Sequence, residues 1–164
     1  MTIDTASIEA ALFRSTGVVY DGMQYGPAND PSKRTYNASG KGRGHVYMHG
    51  ADKDPQSNTA GPAHKSRFEN HTTMVGVIVD ILKSTKGQQA LAGLDANPTK
   101  DGVWLHGSSG LPVSGNWYGF EQGGTVKKKI IKASINMRAH GDALFITSAY
   151  PEDFQTNAAP AATT

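Results

Sequence analysis

The residue pattern predicts an α+β domain, with N-terminal helices packed on a C-terminal antiparallel β-sheet. Three observations carry this. The stretch 67–84 is apolar at helical spacing, the stretch 126–138 alternates apolar and polar residues, and Ala139-His140-Gly141-Asp142 turns that strand into a second one, Ala143–Ala149. At 164 residues the chain is long enough for one domain with a real core.

Taken in order, residues 5–14 form a short helix with Asp4 or Thr5 as its cap. Ile8, Ala11 and Leu12 lie on one face, and Gly17 ends it. From 15 to 43 the chain is dense in Gly, Pro, Asn, Asp and Ser and reads as loop, with a short strand at Val18-Val19-Tyr20. So long an irregular stretch is either a functional loop or the join between an N-terminal appendage, 1–43, and the domain proper, 44–151. A second loop runs from Ala51 to His64. Ser66-Arg67-Phe68-Glu69 then fits a capping box, and Phe68, Thr72, Val75, Ile78, Val79 and Leu82 form a stripe behind it, flanked by Met74 and Ile81. A helix is therefore expected at about 67–84, and a shorter one at about 87–94 before Asn97-Pro98.

Beyond Pro98 the period changes. Val103-Trp104-Leu105-His106 is a short strand stopped by Gly107-Ser108-Ser109-Gly110, and 115–120 is either a strand or a turn with aromatic contacts. Ile131, Ala133, Ile135 and Met137 alternate with Lys132, Ser134, Asn136 and Arg138, the pattern of a strand buried on one face. Residues 152–164, rich in Ala, Thr, Asn and Pro, read as a disordered tail.

Composition removes several classes. Zero cysteines exclude disulfides, thiolate catalysis and Cys-type zinc sites. No apolar run approaches the roughly 18 residues a bilayer crossing requires, and the N-terminus has no basic-then-apolar signal. The net charge is +2, from 16 Lys and Arg against 14 Asp and Glu. The cations cluster at Lys33, Arg34, Lys41 and Arg43, at Lys65 and Arg67, and at Lys127-Lys128-Lys129 with Lys132. Such clusters either make a local positive surface or are ordinary solvated faces. No phosphate-binding Gly-rich loop with its Lys-Ser/Thr occurs, and no Gly-x-Ser-x-Gly elbow.

Six histidines remain as candidates. His45 and His49, in Gly44-His45-Val46-Tyr47-Met48-His49-Gly50, have the i,i+4 spacing of a metal pair, but the glutamate usual between them is missing and the flanking glycines oppose a helix. The pair therefore reads as proton-transfer groups on an accessible loop, as satisfied polar contacts, or as metal ligands, in competition. His106 closes a strand before a Gly/Ser turn, where it is either an active-site side chain or a turn contact. His71 is expected at the edge of the helical core, His64 near the helix start and His140 in an exposed turn. Histidine with Lys, Arg, Thr and Tyr, and no cysteine, fits metal-free phosphodiester transfer in RNA without being specific to it.

The order of features adds to this. A Gly-His-x-x-x-His-Gly segment, a loop, Ser66-Arg67-Phe68-Glu69-Asn70 opening an aliphatic helix, and strands ending in Ile146-Thr147-Ser148-Ala149-Tyr150-Pro151 together resemble a family of bacterial toxins. These are the C-terminal ribonuclease toxin domains of contact-dependent inhibition and other polymorphic toxin systems, which include barnase/EndoU/colicin/RelE-like and pancreatic-ribonuclease-like groups. The resemblance covers about 44–151. It implies that His49, with His45, is the general base and acid, Arg67 a phosphate-facing cation, and Thr147 and Tyr150 active-site groups of the last strand. For Thr147 and Tyr150 plain strand packing competes with that role. His106 joins them as a catalytic candidate, with Lys41, Arg43, Lys65 and Lys128 as candidate substrate-binding cations. The resemblance further implies an RNA substrate such as tRNA, no metal or other cofactor, a cognate immunity protein, and secretion or delivery into the cytoplasm of a target bacterium. The rival expectation is a non-catalytic phage virion, assembly or interaction protein, whose Gly/Pro-rich loops order on contact.

Overall fold

The computed structural model describes residues 3–16, 18–19, 35–36, 65–96, 103–105, 111–140 and 143–158. Along the chain come α1 (Thr5–Thr16), β1 (Val18–Val19), β2 (Thr35–Tyr36), β3 (Arg67–Phe68), α2 (His71–Lys83), α3 (Thr85–Ala96), β4 (Val103–Leu105), β5 (Leu111–Pro112), β6 (Tyr118–Phe120), β7 (Lys127–His140) and β8 (Ala143–Ala158). β1 and β2 pair with each other, inside a stretch that reads as loop. The other six strands form one antiparallel sheet. Helices toward the N-terminal side and strands toward the C-terminal side make this the expected α+β class.

The long strand β7 is the spine of the sheet. Along one edge it pairs with β8, and its other pairings run in succession with β6 at Lys127–Lys129, β5 at 132–133 and β4 at 135–137. Register shifts interrupt the β7–β8 ladder at four points. Each unpaired residue bends its strand and increases the local twist. In the same sheet β3, which pairs with β6, also comes into contact with β8.

The helical layer is tied to this sheet by one apolar core. It joins Ile8, Ala11 and Leu12 of α1, Phe68 of β3, Met74 to Leu82 of α2, Leu91 and Leu94 of α3, and Ile130, Ala133, Ile135, Met137, Ile146 and Ala149 of the hairpin. Each fully buried aliphatic side chain contributes about 1.5–3 kcal/mol. Two boundaries expected from sequence are corrected here. Within segment 1–43, α1 is no appendage, because it packs on β8 and α2 within the common core. The tail expected from 152 is strand as far as Ala158, because β7 offers Lys128, Ile130 and Lys132 as partners to Ala158, Phe154 and Asp153. Among the described residues, no helix is long and apolar enough to cross a membrane.

Asp4 caps α1: Ser7 N donates to Asp4 Oδ1 at 2.8 Å while Asp4 N donates to Ser7 Oγ at 3.0 Å. The capping box expected at Ser66 is overturned. Arg67 and Phe68 pair with Phe120 and Gly119, so they are strand, and Asn70 takes the cap, its side chain accepting from Thr73 N at 2.8 Å. Thr72, placed on the apolar stripe by its spacing, is exposed, while Thr73 and Val77 are buried. The helix expected at 67–84 thus loses its first residues to the sheet, where Arg67 and Phe68 form β3.

Between β5 and β6 the chain is pinned onto α2. Trp117 Nε1 and Gly115 N both donate to Asp80 Oδ2, at 2.8 and 3.0 Å. The Trp117 indole lies so close to Gly76 that a Cβ there would fall 2.2 Å from its Cζ2. Trp117 is thus a clamp between sheet and helix. Gly76→Ala is expected to destabilise by about 1–3 kcal/mol through overpacking. Gly93→Ala, on α3 with nothing within 4 Å of its Cβ, is expected to stabilise by about 0.5–1 kcal/mol through helix propensity. Urea unfolding of the two variants reads both signs.

Candidate functional site

Directly paired residues in an antiparallel ladder share a face, and sequence neighbours take opposite faces. Ala133, Ile135 and Ala149 point into the helix-covered core. Their neighbours therefore point the other way, as two cross-strand pairs: Ser134 with Tyr150, and Asn136 with Ser148. Ser134 is 0% exposed, Asn136 4% and Ser148 5%, so the alternating pattern misled: β7 is buried on both faces here. Phe145, opposite Arg138, is also buried but stands outside the apolar core. Buried polar groups are normally hydrogen-bonded. Ser134 Oγ meets that need with Glu152 Oε1 at 3.0 Å. Ser148 Oγ makes no hydrogen bond among the described residues.

Tyr150 stands between two bulges. From Asn136 to Met137 the partner on β8 jumps from Ser148 to Ile146, leaving Thr147 as the extra residue. From Lys132 to Ala133 it jumps from Asp153 to Pro151, leaving Glu152. Bulges of this kind re-aim side chains and recur beside active sites. The Tyr150 hydroxyl is hydrogen-bonded to Glu152 and Ser134. Its pKa is raised above the usual tyrosine value, first by burial and then by the charge of Glu152 and the hydrogen bond to it; the bond with Ser134 opposes this. The phenol is a neutral donor across the physiological range.

A groove of about 590 Å³ opens beside Tyr150, where β8 passes Ser66 and the turn after β6. Glu121, Glu152, Asp153 and Lys128 supply its charges, with Phe154 and Thr156 further along. Lys128 is ion-paired with Glu121, so the groove is acidic on balance.

The candidate residues named from sequence are thereby divided. Tyr150 and Lys128 line one groove. Arg67 lies on β3 behind it, with its guanidinium donating to Gly124 O at 2.8 Å and stacked 4.9 Å from the Phe120 ring centroid. It holds the 121–126 turn. Lys65, half-buried, precedes β3. Thr147 is placed by its backbone at a bulge, and its side chain lies outside the described residues. His45, His49, His106, Lys41 and Arg43 lie outside the described residues altogether, as does His64. His71, expected at the core edge, is half-buried at the start of α2, with Nε2 3.7 Å from Glu9 Oε1 on α1. His140 ends β7. Among the described residues no cluster of three or more His, Asp or Glu is arranged to hold a metal ion.

Ser134, Asn136, Ser148 and Glu152 are the polar residues that reading the sequence missed. Ser134 and Asn136 occupied ordinary solvent positions of an alternating strand, and Glu152 fell in the supposed tail. The available signal was the hairpin register, which sets Ser134 and Asn136 opposite Tyr150 and Ser148.

The sign of the Tyr150 contribution to stability follows from its raised pKa. The folded protein holds the phenolic proton more tightly than the unfolded chain, so the contribution is complete below the usual tyrosine value of 10.0 and is lost as pH climbs through the folded value. Thermal melts across the alkaline range are expected to show the wild type losing stability relative to Tyr150→Phe.

No family model, curated protein or solved structure matches the chain.

Proposed function

We propose that this chain is a metal-independent endoribonuclease of the toxin type, cutting RNA such as tRNA by attack of the ribose 2′-hydroxyl on the adjacent phosphorus. The 5′-oxygen leaves, and the products are a 2′,3′-cyclic phosphate and a 5′-hydroxyl. His49, with His45, serves as general base and acid, taking the 2′ proton and protonating the leaving 5′-oxygen, and Tyr150 is an active-site group of the last strand. His106 and Thr147 are further candidate contacts. Lys41, Arg43 and Lys65 are the phosphate-facing cations, since Arg67 and Lys128 are engaged with Gly124 and Glu121. No cofactor is required. A cognate immunity protein and delivery into the cytoplasm of a target bacterium belong to the same proposal.

One observation supports this reading best. The sheet face turned away from the helices presents a fixed, neutral phenol between two bulges, beside a buried Ser148 hydroxyl with no partner among the described residues. A hydroxyl held on a rigid hairpin with its proton uncommitted, as that of Ser148 is among the described residues, suits a developing phosphorane charge. The acidic groove lining favours a second reading, a non-catalytic virion, assembly or interaction protein that docks a cationic segment at Glu121, Glu152 and Asp153.

Incubation of the purified protein with total RNA in excess EDTA separates the two. Cleavage with cyclic-phosphate ends, and single-stranded DNA left intact, is expected. Tyr150→Phe should slow it about 10²- to 10³-fold, and His49→Ala should abolish it while leaving the thermal melt in place. A wild-type protein inert toward all RNA would leave the docking reading standing alone.

A further inference from the structure

Where β3, β6 and the start of β7 meet, the register sorts the side chains onto two faces. Phe68, Gly119 and Lys128 stand in one row across the three strands, and Phe68 is buried in the core. The rows on either side therefore point away from the core. One is Arg67, Phe120 and Lys127. The other sets Tyr118 against Lys129, with Glu69 alongside, its N–H donating to Tyr118 O at 3.0 Å. Both rings and all three cations are half-buried, so each keeps some surface in solvent. Gly119 draws β3 and β6 close together beneath them, since a Cβ there would fall 2.3 Å from Arg67 O.

Cations and rings alternate on this outer face. The Arg67 guanidinium stacks over Phe120 at 4.9 Å, and Lys127 Nζ lies 5.8 Å from the Tyr118 ring centroid. Arg67 donates to a neutral carbonyl, that of Gly124, and so keeps its charge. Lys127 is paired with Glu69, while Lys129 takes part in no ion pair among the described residues. Three cations thus share the face with one carboxylate, whereas the β3–β8 groove is acidic on balance. Rings and guanidinium planes give any base a surface to stack on, and interleaved cations follow the phosphates. An acidic protein would use the cations without needing the rings, so the pattern favours a nucleic-acid strand.

We infer that the outer face of β3, β6 and the start of β7 is a docking platform for single-stranded RNA. Tyr118 and the Arg67-capped Phe120 stack bases, Lys129 draws the phosphates directly, and Lys127 does so in exchange for Glu69. The choice of RNA rests on the ribonuclease reading; the platform itself stands on the register of the three strands.

The test is fluorescence anisotropy of a short labelled 2′-O-methyl oligouridine, which has no free 2′-hydroxyl and so is not cut by the proposed reaction. The full chain is expected to bind it with an affinity that falls as salt rises. Tyr118→Leu and Phe120→Leu keep apolar bulk and remove a ring. Each is expected to weaken binding about five- to a hundredfold with an unchanged thermal melt. Lys129→Gln is expected to reduce the salt slope by about 0.7. Lys86→Gln, the same charge loss on the exposed surface of α3, is expected to leave the affinity within about twofold. A wild type that does not bind overturns the inference, as does binding that ignores both ring variants or drops equally with Lys86→Gln. Equal binding of a poly-glutamate peptide makes the face a general anion surface and overturns it too. If one ring variant fails to fold, the other and Lys129→Gln decide. Binding without cleavage of ordinary RNA removes the ribonuclease reading and leaves the platform; cleavage with binding indifferent to both rings does the reverse.

Discussion

The pairing of β7 with β8 is the interaction on which the rest depends. β7 is the strand to which β4, β5, β6 and β8 all attach, so within the six-stranded sheet its position sets the place of every other strand except β3, which is joined through β6. The short strands have little to hold them alone; two or three ladder residues cannot repay the entropy of ordering them. They persist because β7 supplies a continuous edge, and the helices supply a core for its inner face. Antiparallel pairing from a short turn also keeps the central contact local in sequence, which favours its early formation.

The four irregularities in that ladder shape the molecule as much as its regular parts. A flat hairpin of this length would leave β3 far from β8. Extra residues on either strand increase twist and bend, and in this sheet β3 comes to lie against β8 with a groove at the seam. Two further devices hold the seam. Arg67 ties β3 to the 121–126 turn through Gly124 and Phe120, and Lys127 reaches Glu69 at 3.1 Å. On the opposite side the Trp117–Asp80 clamp fixes the chain just before β6. The groove is therefore walled by segments that are each anchored elsewhere, a rigid setting for a site.

Electrostatics set the roles that individual residues can play there. The lysines of 127–129, which look like a basic patch in sequence, are spent in part on Glu69 and Glu121. Surface ion pairs of this kind add little stability, commonly under about 1 kcal/mol, yet they cancel the field that a bare lysine cluster would project. What remains in the groove is carboxylate and hydroxyl, and burial together with the Glu152 charge raises the Tyr150 pKa against the opposing bond with Ser134.

The sequence by itself determined the elements whose signal is local. Ile8, Ala11 and Leu12 marked α1, the Ala139–Asp142 turn marked the hairpin, and the alternation from Ile131 to Met137 marked a strand, because periodicity and turn chemistry act over a few residues. Tyr150 was legible as a candidate, from the motif around it. Three things were decided only by the tertiary structure. Arg67 and Phe68 became strand because Phe120 and Gly119, far along the chain, offered them a ladder, and the helix start moved to Asn70. Residues 152–158 became strand because β7 had free partners on that edge, although their composition is that of a tail. Ser134 and Glu152 became partners of Tyr150 because a bulge redirected one strand against the other. Each depends on which residues face each other across a ladder, and a register is a property of two strands that neither carries alone.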